Sequence, residues 1–202
     1  MTIISRRVLI PIVGKSELAL VRANRLEGIL ERLGAAVRTC KVVVGEDVGS
    51  LEILCRFPDF AAASKVNAAL QGDAEMQKLW REREKEPSAN SFGPYVYRMV
   101  FGEASKLPVL VQREYRIARK NLPEALKLLP EAFEAVARKP MSAVIPVFAP
   151  EMDRLLITYY SESIEEMGRN LDTYGMSEAF QAVVQKASQY GELIKARVIA
   201  QV

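Results

Sequence analysis

Arginine and tyrosine recur together inside apolar runs of this sequence, where a β-strand would carry some of them toward the protein interior. A guanidinium next to a phenol can hold a carboxylate, a phenolate or a quinone-like oxygen through charge-assisted hydrogen bonds. The candidate ligand-binding residues chosen on this basis are Arg56, Tyr97, Arg98, Glu114, Arg116, Tyr159 and Tyr160.

Strand alternation limits how many of these side chains can share one site. Successive side chains of a strand point to opposite faces, so about half of them would face the interior. Tyr159 and Tyr160 are adjacent, so only one of the two can point inward, and the sequence leaves open which. The alternative for each candidate is a position at a strand end or on a rim, paired with an acid or in solvent.

The chain has two cysteines and no histidine. A Ser-His-Asp triad and a histidine general base are therefore excluded, and a catalytic zinc nearly always uses at least one histidine. Acid–base chemistry would fall to Asp, Glu, Lys, Tyr, Cys or water. Neither G-x-G-x-x-G nor a P-loop is present, so no glycine loop is predicted to cradle a phosphate. We predict no metal site and no cofactor, and whether the protein is an enzyme stays open.

Three less reactive positions also yield predictions. Cys40 and Cys55 flank the turn-like stretch "GEDVGS", so they could be neighbours across a hairpin. Two buried thiols are favoured over a disulfide in a reducing compartment. Trp80 follows Met76 and Leu79 on a helical pattern, which indicates helix-to-sheet packing rather than stacking on a ligand.

Bulk charge argues against two classes of partner. The formal charge is +3, from 28 Lys and Arg and 25 Asp and Glu residues, and the two signs are interspersed. This predicts neither a nucleic-acid nor a membrane partner. No apolar run approaches the roughly 20 residues of a membrane span, and the first residues lack the features of a signal peptide. We therefore expect a cytoplasmic protein with a small-molecule ligand as its partner.

Apolar periodicity predicts the order β-α-β-β-α-β in the first half of the chain. It runs from the strand "RRVLIPIVG" to the strand "YVYRMVF", with the second helical segment broken before Asp73 and a loop predicted at "PSANSFGP". The second half repeats the order, from "LPVLVQREYRI" to "ELIKARVIAQV". Its first helix is predicted to be capped by Asn121 and kinked or divided at Pro130.

The two halves align at one constant offset. Asp73 falls on Ser177, Met76 on Phe180 and Gln77 on Gln181, and both Asp and Ser are good helix N-caps. The pattern predicts a duplication, with one module over residues 1–104 and the other over 105–202.

Each β-α-β-β-α-β unit predicts a ferredoxin-like module, an antiparallel four-stranded sheet with both helices on one face. The open sheet faces carry many apolar residues, so each needs a partner. We predict an α+β fold in which two tandem ferredoxin-like modules pack their sheets face to face as an intrachain α+β barrel. The chain would be a monomer with an internal pseudo-dimer, or a homodimer formed through edge strands.

This architecture resembles the dimeric α+β barrel superfamily, and within it NIPSNAP-like domains. The resemblance is carried by "SLEILCRFPDFAAASKVNAALQGDAEMQKLW" in the first half and "RLLITYYSESIEEMGRNLDTYGMSEAFQAVV" in the second. The superfamily includes cofactor-independent monooxygenases, lactone isomerases, haem-dependent enzymes and ligand-binding domains, so the resemblance selects no reaction. Its haem-binding branches use a histidine ligand, and this chain departs from them.

Together these observations predict a protein that binds a small apolar or aromatic metabolite between its two sheets. The alternatives are a cofactor-independent monooxygenase or isomerase, and a non-catalytic protein-interaction module. Cavity volume separates them: an enclosed cavity of several hundred cubic ångströms with convergent Arg and Tyr favours ligand binding or catalysis, and a filled interior favours the interaction module. If the site is where we expect, Arg56→Ala or Arg98→Ala weakens ligand binding.

Overall fold

Eight antiparallel strands close into one barrel in the computed structural model of the protein, which describes residues 1–202. Strands form where β-branched and apolar residues dominate between turn residues. The strands are β1 (Ile3–Pro11), β2 (Ala36–Gly45), β3 (Leu51–Phe57), β4 (Ala89–Gly102), β5 (Val109–Ile117), β6 (Met141–Phe148), β7 (Arg154–Ser161) and β8 (Gly191–Gln201).

Seven α-helices lie outside the barrel. They are α1 (Ser16–Arg32), α2 (Phe60–Gly72), α3 (Ala74–Lys85), α4 (Leu122–Lys127), α5 (Leu129–Ala135), α6 (Ile164–Asn170) and α7 (Glu178–Ala187). A 3₁₀ turn at Arg119–Asn121 precedes α4, and a π-helical segment at Leu171–Gly175 continues α6. The apolar sides of the helices pack on the outer face of the sheet in two clusters, one in each half of the chain.

The order of strands around the barrel is β1-β3-β2-β8-β5-β7-β6-β4, and β4 pairs with β1 to close it. The strands of each half are contiguous, and β2–β8 and β4–β6 pairs join the halves. We expected two stacked sheets with free edges. The structure differs, because hydrogen bonds link the sheets at both borders. Closure removes the edge strands, and with them the reason for predicting a homodimer through those edges.

Equivalent positions in the two halves make equivalent hydrogen bonds. The Asp73 carboxylate accepts a hydrogen bond from the Met76 amide at 3.0 Å, and the Ser177 hydroxyl accepts one from the Phe180 amide at 3.2 Å. The side-chain amide of Gln77 donates to the Gln71 carbonyl at 2.7 Å, and that of Gln181 donates to the Gly175 carbonyl at the same distance. Both predicted N-caps are confirmed.

Two local predictions were wrong. The stretch predicted as a loop before "YVYRMVF" is strand, because the far end of β1 supplies a pairing partner for Ala89 to Phe92. The pairing is irregular opposite Gly93, whose φ of +88° is easy for glycine. The Asn121 side chain caps no helix and instead donates to the Tyr190 carbonyl at 3.1 Å. The predicted division at Pro130 is confirmed, since α4 and α5 are separate helices.

The two cysteines are free thiols and are not neighbours. Cys40 lies opposite Glu52 and Cys55 lies opposite Val37 in the β2–β3 pair. Cys40 belongs to a cluster inside the barrel, whereas Cys55 belongs to the outer core under the helices. The hairpin register therefore contradicts the expectation that they could meet. Trp80 packs against the outer core of the first half, as predicted.

Candidate functional site at the open end of the barrel

One half of the barrel interior is filled. An apolar cluster occupies it, and its buried members are Cys40, Val42, Leu110, Tyr160 and Ile199. The connection between β4 and β5 covers this end, where Arg38 donates to the Leu107 carbonyl at 3.1 Å and Arg56 donates to the Ala104 carbonyl at 3.4 Å. We call this the closed end of the barrel.

The opposite end holds a cavity of about 270 Å³, which we call the barrel-mouth cavity. Charged, aromatic and aliphatic side chains line it together, and both halves of the chain contribute to it. Its lining residues are Arg6, Val8, Asp47, Phe92, Tyr95, Tyr97, Glu114, Ala149, Pro150, Glu151, Arg154 and Lys195. Sheet faces that we expected to bury apolar surface therefore also enclose charged groups at this end of the barrel.

Strand alternation positions the charged side chains of this cavity. Arg6 lies on the inward register of β1, paired with Leu54 on β3 and Tyr95 on β4. Gln112 and Glu114 take successive inward positions on β5, opposite Arg197 and Lys195 of β8. Period-two alternation on three separate strands thus brings polar groups together at one level of the barrel.

Glu52 is buried in the barrel between Arg6, which lines the cavity, and Arg197, which does not. Its carboxylate accepts hydrogen bonds from Arg6 Nη2 at 2.6 Å and Arg6 Nε at 3.0 Å, and it lies 2.8 Å from Arg197 Nη2. The side chains of Glu52 and Arg197 are 0% and 1% exposed. Burial alone would lower the pKa of Arg6, but the Glu52 carboxylate outweighs it and the pKa is raised.

Arg197 is incompletely satisfied. Its Nε and Nη2 donate to Gln112 Oε1 at 3.2 and 2.6 Å, but its buried Nη1 has no hydrogen-bond partner. The Asp47 carboxylate lies 4.0 Å from Nη1, beyond hydrogen-bond range. Burial lowers the pKa of Arg197. A buried donor without a partner is costly, so this nitrogen marks a place where an anion or a water would be stabilised.

Carboxylates dominate the outer part of the cavity. Arg154 Nε donates to Glu114 at 3.1 Å, and the same guanidinium contacts Glu151 at 3.4 Å and Asp153. Lys195 Nζ lies 3.1 Å from Asp47. At the mouth, Arg154 and Lys195 therefore each already contact at least two carboxylates.

Tyr97 stands beside the Arg6 guanidinium and is 6% exposed. Burial raises the pKa of its phenol, and the nearby Arg6 charge only partly opposes this shift. Tyr97 therefore stays protonated at neutral pH and can donate a hydrogen bond to a ligand. An arginine and a tyrosine thus converge on the cavity, as expected. The arginine next to Tyr97 is Arg6, however, which was not among the candidates chosen from the sequence.

The seven candidate residues are not brought together. Tyr97 and Glu114 line the barrel-mouth cavity. Arg116 is 54% exposed at the rim, 4.0 Å from Asp153 and 3.8 Å from Glu192. Tyr160 points into the barrel, but in its filled half, where its hydroxyl lies 2.7 Å from Ser142 Oγ.

The other three candidates lie away from this cavity. Arg56 is exposed at the closed end. Arg98 pairs with Ile3, an outer-core residue, so it lies on the outer face, where it is exposed. Tyr159 also faces outward and meets Phe180 edge-on, with ring centroids 6.2 Å apart. The question of which tyrosine faces inward is therefore answered by Tyr160.

Sequence reasoning missed most of the charged residues at the barrel mouth. Arg6, Glu52, Arg154, Lys195 and Arg197 were not selected. The usable signal was a charge at an inward position of an apolar strand, as in "IISRRVLIP", "LEILCRF" and "LIKARVIA". Without the register, the same letters are equally compatible with solvent-facing positions.

Two smaller cavities of about 50 and 40 Å³ lie between the second-half sheet and its helices. They share Tyr159 and Phe180, and the Arg113 guanidinium of the larger one lies 5.3 Å from the centre of the Phe180 ring. Burial raises the pKa of Tyr159. These cavities have the volume of very few waters.

A haem held by a histidine ligand does not fit this protein, because the chain contains no histidine.

No group of three or more Cys, Asp or Glu side chains is placed to hold a metal ion. None of the helices combines the length and the apolar character needed to traverse a bilayer.

Comparison with solved structures shows the fold. No family model matches the sequence, and no curated protein matches it. A provisionally assigned monooxygenase from Fusobacterium nucleatum superposes with a TM-score of 0.66 at 10% identity, covering 99% of this chain and 92% of the other. An anthrone oxidase-like protein gives 0.63 at 12% identity, covering 100% and 91%. Chlorite dismutase from Candidatus Nitrospira defluvii gives 0.55 at 10% identity, covering 97% and 90%. The chain therefore has an α+β barrel fold similar to these proteins.

Proposed function

We propose that this protein binds a small molecule in the barrel-mouth cavity. The observation that carries the proposal is the convergence of Arg6, Tyr97 and Glu114 on a space of about 270 Å³. Pockets that take metabolites combine such a concave space with a few convergent polar groups. The volume lies near the lower end for ligand pockets, so the ligand is small.

The chemistry of the lining refines the predicted ligand. Arg6 uses Nε and Nη2 on Glu52, which leaves Nη1 for a ligand oxygen, and Tyr97 can donate to the same oxygen. Phe92 and Tyr95 supply aromatic wall. The ligand is thus polar at one end and flat or apolar elsewhere, rather than apolar throughout.

Arg6→Gln tests this site. Glu52 keeps its contact with Arg197 at 2.8 Å, so the fold should survive while the ligand loses its charged contact. We expect a compound that co-purifies with the protein, detected by native mass spectrometry, to be lost from this variant. Arg98→Gln, a matched change on the exposed outer face, should retain the compound. Retention in both variants would contradict the proposal, as would the absence of any compound together with no binding from a metabolite library.

A second candidate is a cofactor-independent monooxygenase that works in the same barrel-mouth cavity. It is favoured by Glu114, a carboxylate lining that cavity that can take a proton from a substrate, and by the names of two structural neighbours. Anthrone in aerobic buffer is the direct probe. Oxygen uptake that depends on the protein and falls in Glu114→Gln would support this candidate, and no uptake would remove it.

We further propose that the chain is a tandem repeat of two ferredoxin-like modules, 1–104 and 105–202, and a divergent NIPSNAP-like member of its superfamily. Support comes from the equivalent hydrogen bonds at Gln77 and Gln181 and from the same relative strand order in each half. Since the chain closes its own barrel, it would act as a monomer with an internal pseudo-dimer.

A further inference from the structure

The inner end of the barrel-mouth cavity meets a buried group of Arg6, Glu52 and Arg197 that carries excess positive charge, and of these three Arg6 lines the cavity. Arg6 and Arg197 share the single carboxylate of Glu52. All three side chains are buried, at 12%, 1% and 0% exposure, so solvent screens this excess weakly. The unpartnered Nη1 of Arg197 belongs to the same group. An anionic ligand group at this level would be stabilised.

The mouth of the same cavity carries excess negative charge. Here two cations that line the cavity, Arg154 and Lys195, meet three carboxylates that line it. Those carboxylates belong to Asp47, Glu114 and Glu151. Glu114 is the most buried of them, with 13% of its side chain exposed, and it lines the cavity. A cationic ligand group at this level would be stabilised.

Opposite charge excesses at the two levels disfavour a ligand with one charge. A ligand with only a negative charge would be repelled by the carboxylates at the mouth. A ligand with only a positive charge would be repelled by Arg6 and Arg197. We propose that the ligand is a zwitterion, with a carboxylate that contacts Arg6 and Tyr97 and an ammonium group that contacts Glu114. This inference rests on the proposed function of the cavity and names its ligand class, an amino acid or a similar amino-carboxylate.

Matched probes test the charge requirement directly. One set is L-phenylalanine, N-acetyl-L-phenylalanine, which lacks the ammonium group, and L-phenylalaninamide, which lacks the carboxylate. A second set with wider charge separation is 4-aminobutanoate, butanoate and butylamine. We expect at least one zwitterion to bind at least about tenfold more tightly than both of its truncated analogues, measured by calorimetry or ligand-observed NMR.

Glu114→Gln separates the two ends of the site. Arg154 keeps Glu151 and Asp153, so the variant should fold, which thermal melting checks. We expect about tenfold weaker binding of the zwitterion and unchanged binding of its carboxylate-only analogue. Glu192→Gln, an exposed carboxylate that does not line the cavity, should leave both affinities unchanged.

The outcomes distinguish this inference from the proposed function. If a truncated analogue binds as tightly as its zwitterion, or no zwitterion binds at millimolar concentration, the zwitterion inference is wrong. The proposed function stands in either case if a co-purified compound is lost in Arg6→Gln. It falls if that compound is retained, whatever the charge of the probes.

Discussion

At the scale of single residues, Glu52 has the most demanding position in the protein. One carboxylate is shared by two guanidiniums, and it is 0% exposed. Buried charges are tolerated when they are paired and hydrogen-bonded, and removing one partner leaves the others uncompensated. The charged interior of the barrel therefore depends on this side chain.

Glu52→Gln should destabilise the protein by about 3 kcal/mol or more, because two buried guanidiniums lose their shared counter-charge. The measurement is the free energy of unfolding from urea denaturation. Glu192→Gln, which changes a carboxylate that is 73% exposed, should change it by less than about 0.5 kcal/mol. Equal small losses in both variants would show that Arg6 and Arg197 find other partners.

The two buried thiols should lower the stability of the fold at alkaline pH. Burial raises the pKa of both Cys40 and Cys55 to about 12, against about 8.5 in an unfolded chain. Between these values the unfolded state binds fewer protons, so stability falls as pH rises, by up to about 1.4 kcal/mol per pH unit for each thiol.

Urea midpoints measured from pH 8 to about pH 10 should therefore decrease, and the decrease should be shallower in Cys40→Ala and Cys55→Ala than in the wild type. If neither substitution changed the dependence of the urea midpoint on pH, other groups, such as the buried tyrosines, would be responsible for the loss of stability at high pH.

At the scale of elements, sequence reasoning worked where one residue determines the local backbone. Asp73 and Ser177 were recognised as N-caps because an acceptor side chain before an apolar helical pattern has one main use. Pro130 divided its helix for an equally local reason. The predictions of an N-cap at Asn121 and of a loop at the start of β4 were wrong. Distant partners determine these structures: the Tyr190 carbonyl binds the Asn121 side chain, and the end of β1 pairs with β4.

Ser177→Ala should cost about 1 kcal/mol of stability, because the hydroxyl satisfies the Phe180 amide at the start of α7. Ser177→Asp should retain most of the wild-type stability, since a carboxylate can accept the same hydrogen bond at a helix N-terminus. Chemical denaturation of the two variants side by side gives the comparison. Indistinguishable stabilities would argue against a capping role.

At the scale of the whole molecule, the order of strands and helices along each half was predictable and the interior of the barrel was not. Apolar periodicity gave two β-α-β-β-α-β units. It could not assign the inward register, because β1 carries apolar residues and one arginine on each face, and β3 carries apolar residues on both faces. The joining pairs β2–β8 and β4–β6 connect residues too far apart in sequence for any local pattern to indicate.

Because of those joining pairs, neither half should fold alone. A fragment of residues 1–104 or 105–202 would expose the inner sheet face and unpaired strand edges, which invites aggregation. We expect each fragment to lack a cooperative thermal transition, and an equimolar mixture to regain one by near-ultraviolet circular dichroism. A cooperative transition in a single fragment would show that each half is an independent domain.

The connection between β4 and β5, which Arg38 and Arg56 hold over one end of the barrel, determines how a ligand reaches the cavity. Because that end is covered, a ligand enters and leaves at the opposite end. A long ligand inserts one end into the cavity, and the part that exceeds the depth of the cavity stays in solvent. The protein therefore recognises only the inserted end, and the solvent-exposed end can carry a bulky extension.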